Sequence, residues 1–184
     1  MSTTDQNLYG ALRAAFPADL DQIAVEAATA SGEPLLYTWR DLERASSRIA
    51  NLLASLQIPA GSRIAVQVEK SVEAMILYLA TLRAGYVFLP LNTAYQSAEI
   101  EYFIGNAEPA VVVCTPGNFG WVSKIAFSAG TQHVFTLGDE RTGSLLERAA
   151  HCGDAHQCVA RQADDLAAIL YTSGTTGRDR KSVV

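Results

Sequence analysis

The spacing of hydrophobic and polar positions changes several times along the chain, and each change predicts a new element. In the segment Leu42–Leu56 the apolar residues recur at helical spacing with charged residues off the stripe, which predicts an amphipathic helix. Arg63–Val68 has Ile64, Val66 and Val68 at every second position, on one face, and predicts a strand. Val72–Leu82 is apolar nearly all round, which predicts a helix packed between other layers.

Shorter segments continue this alternation of helix and strand. Further helices are predicted at Leu8–Phe16, Ser97–Phe103, Phe119–Ala129 and Ser144–Ala150. Further strands are predicted at Ile23–Ala28, Leu35–Tyr37, Val87–Leu89, Ala110–Cys114, His133–Leu137 and Leu166–Tyr171, with a connecting loop at Gly153–Ala163. Short connections between alternating strands and helices predict an α/β fold in which a mostly parallel sheet is layered with helices.

Polar residues mark where the two main helices begin. Thr38 followed by Asp41 matches a capping box in which Asp replaces Glu. Ser71 is a predicted amino-terminal cap, and Glu73 follows in the first turn, where a negative charge interacts favourably with the helix dipole. Gly85 is predicted to end the same helix.

Composition narrows the classes of partner. The 184 residues are 49% hydrophobic and 18% charged, with a net charge of −5. These values are ordinary for a globular protein, and since no cluster of Lys or Arg occurs, we expect no nucleic-acid partner. The amino terminus lacks the features of a signal peptide, and the longest apolar stretch, Ala74–Leu82, is too short to cross a bilayer. We therefore predict a cytoplasmic protein with no membrane partner.

The cysteines and nearby histidines suggest thiols rather than a metal site. Three cysteines occur without a Cys-x-x-Cys pair, which fits reduced thiols in a cytosolic chain. Cys114 ends an apolar run and is predicted to be a buried small hydrophobic residue. Four potential ligands lie close together, but their spacings match no common zinc pattern: His151, Cys152, His156 and Cys158. A polar connecting loop is favoured there over a metal site.

The segment with the most chemical information lies near the carboxyl end. The apolar run Leu166–Tyr171, predicted as a buried strand, leads directly into six residues that all carry a hydroxyl group or are glycine: Thr172, Ser173, Gly174, Thr175, Thr176 and Gly177. Hydroxyl donors, free backbone N–H groups and glycines that permit close approach are typical of a phosphate-binding loop. The Walker order of Gly-Lys-Ser/Thr is absent. The alternative is a solvated turn of Ser, Thr and Gly.

Tyr171–Gly177 resembles the signature loop of the adenylate-forming enzymes, which include acyl-CoA synthetases, luciferases and nonribosomal adenylation domains. The resemblance extends from about Leu8 to Arg178. Several further stretches resemble malonyl-CoA synthetases in particular: Glu69–Ala74, Leu77–Thr81, Arg83–Gly85, Leu89–Tyr95, Ala107–Pro109 and Asp164–Leu170.

This resemblance implies a function. Such enzymes join a carboxylate, here malonate, to AMP with loss of pyrophosphate, usually with Mg2+, and then transfer the acyl group to coenzyme A. By the resemblance, Thr172–Gly177 binds the β- and γ-phosphates of ATP. Lys181 stands one residue beyond the place of the family's loop lysine, with Ser182 where Gly is usual, and is assigned as a further phosphate ligand. No catalytic residue and no metal ligand is assigned.

The remaining functional parts of the family are not recognised in this sequence. We therefore expect residues 1–184 to form a partial AMP-binding domain, the amino-terminal portion of the family's large domain, without the carboxyl-terminal domain. We also expect Arg178–Val184 to be disordered. Three alternatives stay open. The chain is an acyl-CoA synthetase fragment, an inactive piece that binds nucleotide weakly or associates through a surface exposed by truncation, or an unrelated α/β binding module.

Three other groups of residues have competing interpretations. Glu69–Ser71 is interpreted as a strand end with a helix cap rather than as a catalytic group. Asn92–Tyr95 follows a strand end and is either a structural turn or the wall of a ligand cavity. Trp39 and Trp121 are interpreted as packing residues rather than platforms for stacking a ligand.

Overall fold

The computed structural model describes residues 5–28, 32–172 and 180–183. Within these residues the chain forms a short 3-10 helix, Pro116–Asn118, and six α-helices: α1 (Leu8–Ala14), α2 (Trp39–Ser55), α3 (Val72–Arg83), α4 (Ser97–Ala107), α5 (Phe119–Ser128) and α6 (Ser144–Ala149). The same residues form eight strands: β1 (Ile23–Ala27), β2 (Leu35–Thr38), β3 (Arg63–Gln67), β4 (Val87–Pro90), β5 (Val111–Cys114), β6 (His133–Thr136), β7 (Ile169–Thr172) and β8 (Arg180–Val183).

The central sheet is parallel, as predicted, and has the strand order β4-β3-β5-β6. Ile64 of β3 pairs with Phe88 of β4 on one side and with Val111 of β5 on the other. After β3 the chain forms β4 on one side of β3 and then crosses over to form β5 on the other side. The topological switch point of the sheet consequently falls between β3 and β5, and in such folds ligands bind outside the carboxyl ends of the strands near that point.

Helices cover both faces of this sheet. Ile64 and Val66 belong to a core that also contains buried residues of α2, α3 and α6, with the β1–β2 hairpin packed at its side. Ala65 faces the opposite way and joins a second core built with α4 and α5. All four residues of β5 are buried because they are covered on both faces, which accounts for the continuous apolar run Val111–Cys114.

The helix caps predicted from the sequence are confirmed for α2 and α3. Thr38 and Asp41 form the capping box, and the Ser71 hydroxyl accepts a hydrogen bond from the Ala74 N–H at 3.1 Å. Gly85 follows α3 with a φ of 75°, in the left-handed region that favours glycine. The prediction for α4 was wrong at its start, because the capping residue is Gln96, whose N–H donates to Glu99 at 2.7 Å.

The last part of the chain departs most from the sequence prediction. The apolar run predicts a buried strand from Leu166, whereas β7 begins at Ile169 and lies at the edge of the sheet beside β4. A single parallel bridge joins Ala168 to Phe88, and the Phe88 N–H donates to the Ala167 carbonyl at 3.0 Å. Ile169 is 1% exposed but Leu170 is 41% exposed. An edge strand covered on one face has this alternation, so the prediction of a fully buried strand was wrong.

β8 pairs with β7 in an antiparallel hairpin, with Thr172 opposite Arg180 and Ile169 opposite Val183. The expectation of disorder for Arg178–Val184 was therefore wrong for Arg180–Val183, whose backbone groups pair with those of β7. Residues 178, 179 and 184 lie outside the described part of the chain. Among the described residues, no helix combines the length and the apolarity needed to cross a membrane.

Candidate functional site

The β7–β8 hairpin determines where the candidate phosphate loop begins. Since β7 runs parallel to β4, the end of β7 at Thr172 lies at the same edge of the sheet as the carboxyl ends of β3 to β6. Thr172 and Arg180 are Cα partners, so the hairpin holds both ends of the segment 173–179. This edge is the one where ligands bind in parallel α/β sheets.

The sequence-predicted site residues fall into two groups. Thr172 is the last residue of β7, and Lys181 is paired with Tyr171 in the hairpin, so the backbone brings both to this edge of the sheet. Ser173, Gly174, Thr175, Thr176 and Gly177 lie outside the described residues. Their role as phosphate ligands therefore stays a prediction, as does that of Thr172 and Lys181.

Tyr171 anchors the strand immediately before the loop. Its hydroxyl donates to Asn106 Oδ1 at 2.7 Å, and its ring lies 4.5 Å from that of Phe103, centroid to centroid. Burial raises the pKa of Tyr171, so the phenol stays neutral and remains a donor. Phe103 is itself buried in α4, so the end of β7 packs directly against this helix.

The loop after β4 lies beside this anchor and is held by hydrogen bonds. The Asn92 side chain accepts from the Ala94 N–H at 2.9 Å, which closes a tight turn. Two backbone carbonyls of this loop, those of Asn92 and Tyr95, accept from the Gln67 amide, each at 3.2 Å. Of the two interpretations of Asn92–Tyr95, the structural turn is thus present, and it borders the candidate site.

Two of the cavities in the described part of the chain lie away from Thr172, where the candidate phosphate loop begins. The larger, of about 450 Å³, is at the opposite edge of the sheet, where Arg63 begins β3 and Gln132 precedes β6. The smaller, of about 250 Å³, lies between α2, α3 and α6. Its polar residues include Tyr37, Glu73 and Arg141, and its apolar lining includes Ile49, Ile76 and Leu146.

Glu73 has a role that the sequence did not reveal. The sequence predicted only a favourable charge in the first turn of α3. In the structure Glu73 is 6% exposed, and its carboxylate accepts a hydrogen bond from the Tyr37 hydroxyl and lies 3.3 Å from Arg141 Nε. The sequence does contain a signal for a buried carboxylate, because Glu73 lies within the apolar run Val72–Leu82. In Glu69–Ser71, in contrast, the predicted cap is confirmed at Ser71, whereas the strand β3 ends earlier, at Gln67.

The four potential ligands between His151 and Cys158 do not come together as a metal site. His156 Nδ1 lies 2.9 Å from Asn51 Oδ1, and burial, followed by the nearby Arg83 charge, lowers its pKa. Burial raises the pKa of Cys114 to about 12, so its thiol is protonated at neutral pH and is a poor nucleophile. The described residues contain no group of three or more His, Cys, Asp or Glu side chains placed to share a metal ion.

Comparison with known proteins gives a consistent set of relatives. The family model described as AMP-binding enzyme matches residues 16–183. The fold superimposes on the crystal structure of ATP-bound MatB from Rhodopseudomonas palustris with a TM-score of 0.89 and 45% sequence identity, covering 98% of this chain. A mitochondrial acyl-coenzyme A synthetase from Rattus norvegicus, ACSM2, is 30% identical over 152 residues, or 80% of this chain.

Nonribosomal peptide synthetases are also similar. Tyrocidine synthase 1 from Brevibacillus parabrevis is 27% identical over 147 residues, again 80% of this chain. In every case this chain spans only part of the relative: 35% of the MatB chain, 27% of the rat synthetase and 13% of tyrocidine synthase 1. The similarity thus describes one portion of these larger proteins, and the fold matches the amino-terminal part of adenylate-forming enzymes.

Proposed function

The chain belongs to the AMP-binding enzyme family, and on that premise we propose that it supplies the polyphosphate-binding part of an acyl-CoA synthetase. In this reaction the carboxylate attacks the α-phosphate of ATP, pyrophosphate leaves, and the thiol of coenzyme A then displaces AMP from the acyl adenylate. The observation that carries the proposal is the β7–β8 hairpin, which places Thr172, the first residue of the Gly- and hydroxyl-rich segment, at the carboxyl edge of the sheet.

The residues of the loop have the chemistry that a polyphosphate requires. Thr172, Ser173, Thr175 and Thr176 offer hydroxyl and backbone N–H donors, and Gly174 and Gly177 leave room for phosphate oxygens. Lys181 is proposed to add a positive charge. These groups position the phosphates and offset their negative charge, and none of them acts as a nucleophile. Mg2+, when bound with ATP, would share in neutralising that charge.

We propose malonate as the carboxylate. Support comes from the resemblance of Glu69–Ala74 and Leu89–Tyr95 to malonyl-CoA synthetases and from the 45% identity with R. palustris MatB. A cytoplasmic location is also proposed, because three cysteines without a Cys-x-x-Cys pair fit reduced thiols in a cytosolic chain. The small-molecule substrates proposed here are thus ATP, a short dicarboxylate and coenzyme A.

A second candidate function is association with another chain, with weak nucleotide binding and no catalysis. The observation in its favour is that two large side chains on β7 and α4 are exposed, Leu170 at 41% and Tyr102 at 51%. Exposed large apolar side chains on an edge strand favour contact with another chain. Self-association would make the apparent mass depend on protein concentration.

Isothermal titration of the full 184-residue chain with ATP and Mg2+ tests the phosphate-binding role. We expect the double variant Thr175→Ala, Thr176→Ala to lower ATP affinity by about 100-fold, since each lost hydroxyl removes a hydrogen bond to a charged ligand, worth about ten-fold in affinity. Thr142→Ala, an exposed residue of the β6–α6 loop, is the matched control and should bind ATP normally. Equal affinity for the double variant and the wild type would refute the proposal.

An AMP-release assay with malonate and coenzyme A then separates the two candidate functions. AMP release that requires both substrates assigns the whole reaction to this chain. ATP binding without AMP release is expected if the chain supplies only the polyphosphate-binding part, and self-association then decides for or against the second candidate. Sedimentation at several protein concentrations checks self-association independently of either result.

A further inference from the structure

The carboxyl edge of the sheet contains a buried amide, that of Gln67, which the reaction itself does not require. Gln67 is the last residue of β3, the strand at the topological switch point, and it is 1% exposed. We propose that Gln67 is a positioning residue that holds the loop after β4 against the end of β7 and thereby fixes the start of the phosphate loop. This inference deepens the proposed function and rests on it for the role of that loop.

The hydrogen bonds of Gln67 connect three segments of the chain. Its Nε2 donates to the carbonyls of Asn92 and Tyr95, each at 3.2 Å, in the loop between β4 and α4. Its Oε1 receives a long hydrogen bond, 3.5 Å, from Asn118 Nδ2, just after β5. Asn118 in turn accepts from Trp121 Nε1 at 3.2 Å. The amide therefore links the carboxyl ends of β3, β4 and β5.

A row of aromatic rings carries this restraint to β7. The Tyr95 ring lies 4.8 Å from the Phe103 ring, and Phe103 lies 4.5 Å from Tyr171, measured between centroids. Aromatic pairs at these separations are attractive, and buried side chains are close-packed. A shift of Tyr95 would therefore be transmitted through Phe103 to Tyr171, which directly precedes Thr172.

An amide at this position is not explained by packing alone. Burying a polar group is unfavourable unless its hydrogen bonds are satisfied, and an apolar residue would fill the same space at the end of an apolar strand. In Gln67 both donor hydrogens and the acceptor oxygen have partners. Gln67 interrupts the apolar pattern of β3, and all its side-chain hydrogen bonds go to residues that follow the carboxyl ends of β4 and β5. This arrangement supports a role for Gln67 in shaping the ligand-binding edge of the sheet.

The test compares Gln67→Leu with a matched variant, Thr131→Val. Thr131 is also buried, 5% exposed, and its hydroxyl donates to the Pro109 carbonyl at 2.9 Å, at the opposite edge of the sheet. Each variant removes hydrogen bonds from a buried side chain to backbone carbonyls. If Gln67→Leu does not fold, Gln67→Glu replaces it, because it keeps the size and the acceptor but removes both amide donor hydrogens.

Amide hydrogen exchange on the full chain provides a readout that does not depend on ATP. We expect Gln67→Leu to raise exchange in residues 92–95 and also in 169–172, and Thr131→Val to leave both segments unchanged. In NMR spectra the Trp121 indole signal should move in Gln67→Leu, while the signal of the other tryptophan, Trp39, should stay. Unchanged exchange at 169–172, relative to the control, would overturn the inference.

ATP affinity provides the second readout and separates this inference from the proposed function. Gln67→Leu should weaken ATP binding by about ten-fold, equivalent to the loss of one good hydrogen bond to the ligand, and Thr131→Val should not. If the wild type binds no ATP, the proposed function fails, whereas the exchange data still decide whether Gln67 positions β7. If the wild type binds ATP and Gln67→Leu binds it equally well, the positioning role is refuted.

Discussion

The Tyr37 hydroxyl donates a hydrogen bond to the Glu73 carboxylate across 36 positions of sequence. Arg141 Nε approaches the same carboxylate oxygen at 3.3 Å, so that residues from β2, α3 and the β6–α6 loop meet at one buried charge. Burial, together with this hydrogen bond, raises the pKa of Tyr37. The phenol is therefore neutral at any physiological pH and remains available as a donor.

Replacing Tyr37 with Phe should destabilise the fold, because Glu73 would lose its hydroxyl donor while remaining buried. We expect the free energy of unfolding to fall by about 1–3 kcal/mol, the usual range for leaving a buried acceptor short of a partner. Urea denaturation followed by circular dichroism measures this change. Tyr102→Phe, at a residue 51% exposed, is the matched control and should change stability by less than about 0.5 kcal/mol. Equal effects for the two variants would contradict the role given to Tyr37.

Arg83 should be the most sensitive charged residue in the described part of the chain. It is 7% exposed, and it donates to the Tyr9 hydroxyl at 2.9 Å and to the His156 carbonyl at 2.9 Å. Arg83→Met keeps the bulk but removes every donor, and we expect a loss of about 3 kcal/mol in thermal or urea unfolding. Arg83→Lys should recover part of this loss.

The control for Arg83 is Arg44→Met. Arg44 pairs with Asp154 at 3.6 Å, but both side chains are about half exposed, 58% and 48%. Exposed ion pairs contribute only about 0–1 kcal/mol, so this variant should be nearly neutral. A larger effect at Arg44 than at Arg83 would show that burial does not determine the contribution of these arginines.

His156 should make stability depend on pH in a defined direction. Burial and the Arg83 charge lower its pKa in the folded protein, whereas the unfolded chain takes up the proton near pH 6.5. The unfolded state therefore binds more protons once the pH drops below about 6.5, and the free energy of unfolding falls until the pH reaches the lower folded pKa. Urea midpoints between pH 8 and pH 5 measure this. His156→Gln should flatten the profile over that range, and His151→Gln, at an exposed residue, should not.

Two glycines should respond in opposite ways to alanine. Gly143 has a φ of 117°, and a Cβ atom there would lie 2.4 Å from the Thr136 carbonyl oxygen, so Gly143→Ala should destabilise by about 2–4 kcal/mol. Gly105 lies within α4, and a Cβ atom there would meet nothing within 4 Å. Gly105→Ala should therefore stabilise by about 0.5–1 kcal/mol. The melting temperatures of the two variants and the wild type measure these effects. A melting temperature of Gly105→Ala below that of the wild type would contradict the predicted stabilisation.

The sequence predicted a helix accurately where its hydrophobic periodicity and its capping residues indicated the same boundaries. The helix α2 follows from its apolar stripe and from Thr38 with Asp41, and α3 follows from Ser71 and Gly85. The family could also be recognised from the sequence, because the Gly- and hydroxyl-rich residues that identify it are adjacent in the chain and directly follow an apolar segment. The boundaries of α4 and β7 were less accurate, since helix and strand ends depend on neighbours in space.

The sequence by itself determined which segments before residue 172 form helices and strands, that they layer as an α/β fold, and which run of residues is the candidate phosphate loop. Only the tertiary structure decided that β7 lies at the sheet edge, that Arg180–Val183 pairs with it, and which partners the buried Gln67 and Arg83 have. The physical reason is that hydrophobic periodicity shows which face of a segment is buried but does not show which other segment covers that face. A buried charge or amide is instead stabilised by groups distant in sequence, as in the bond between Arg83 and the Tyr9 hydroxyl, 74 positions apart.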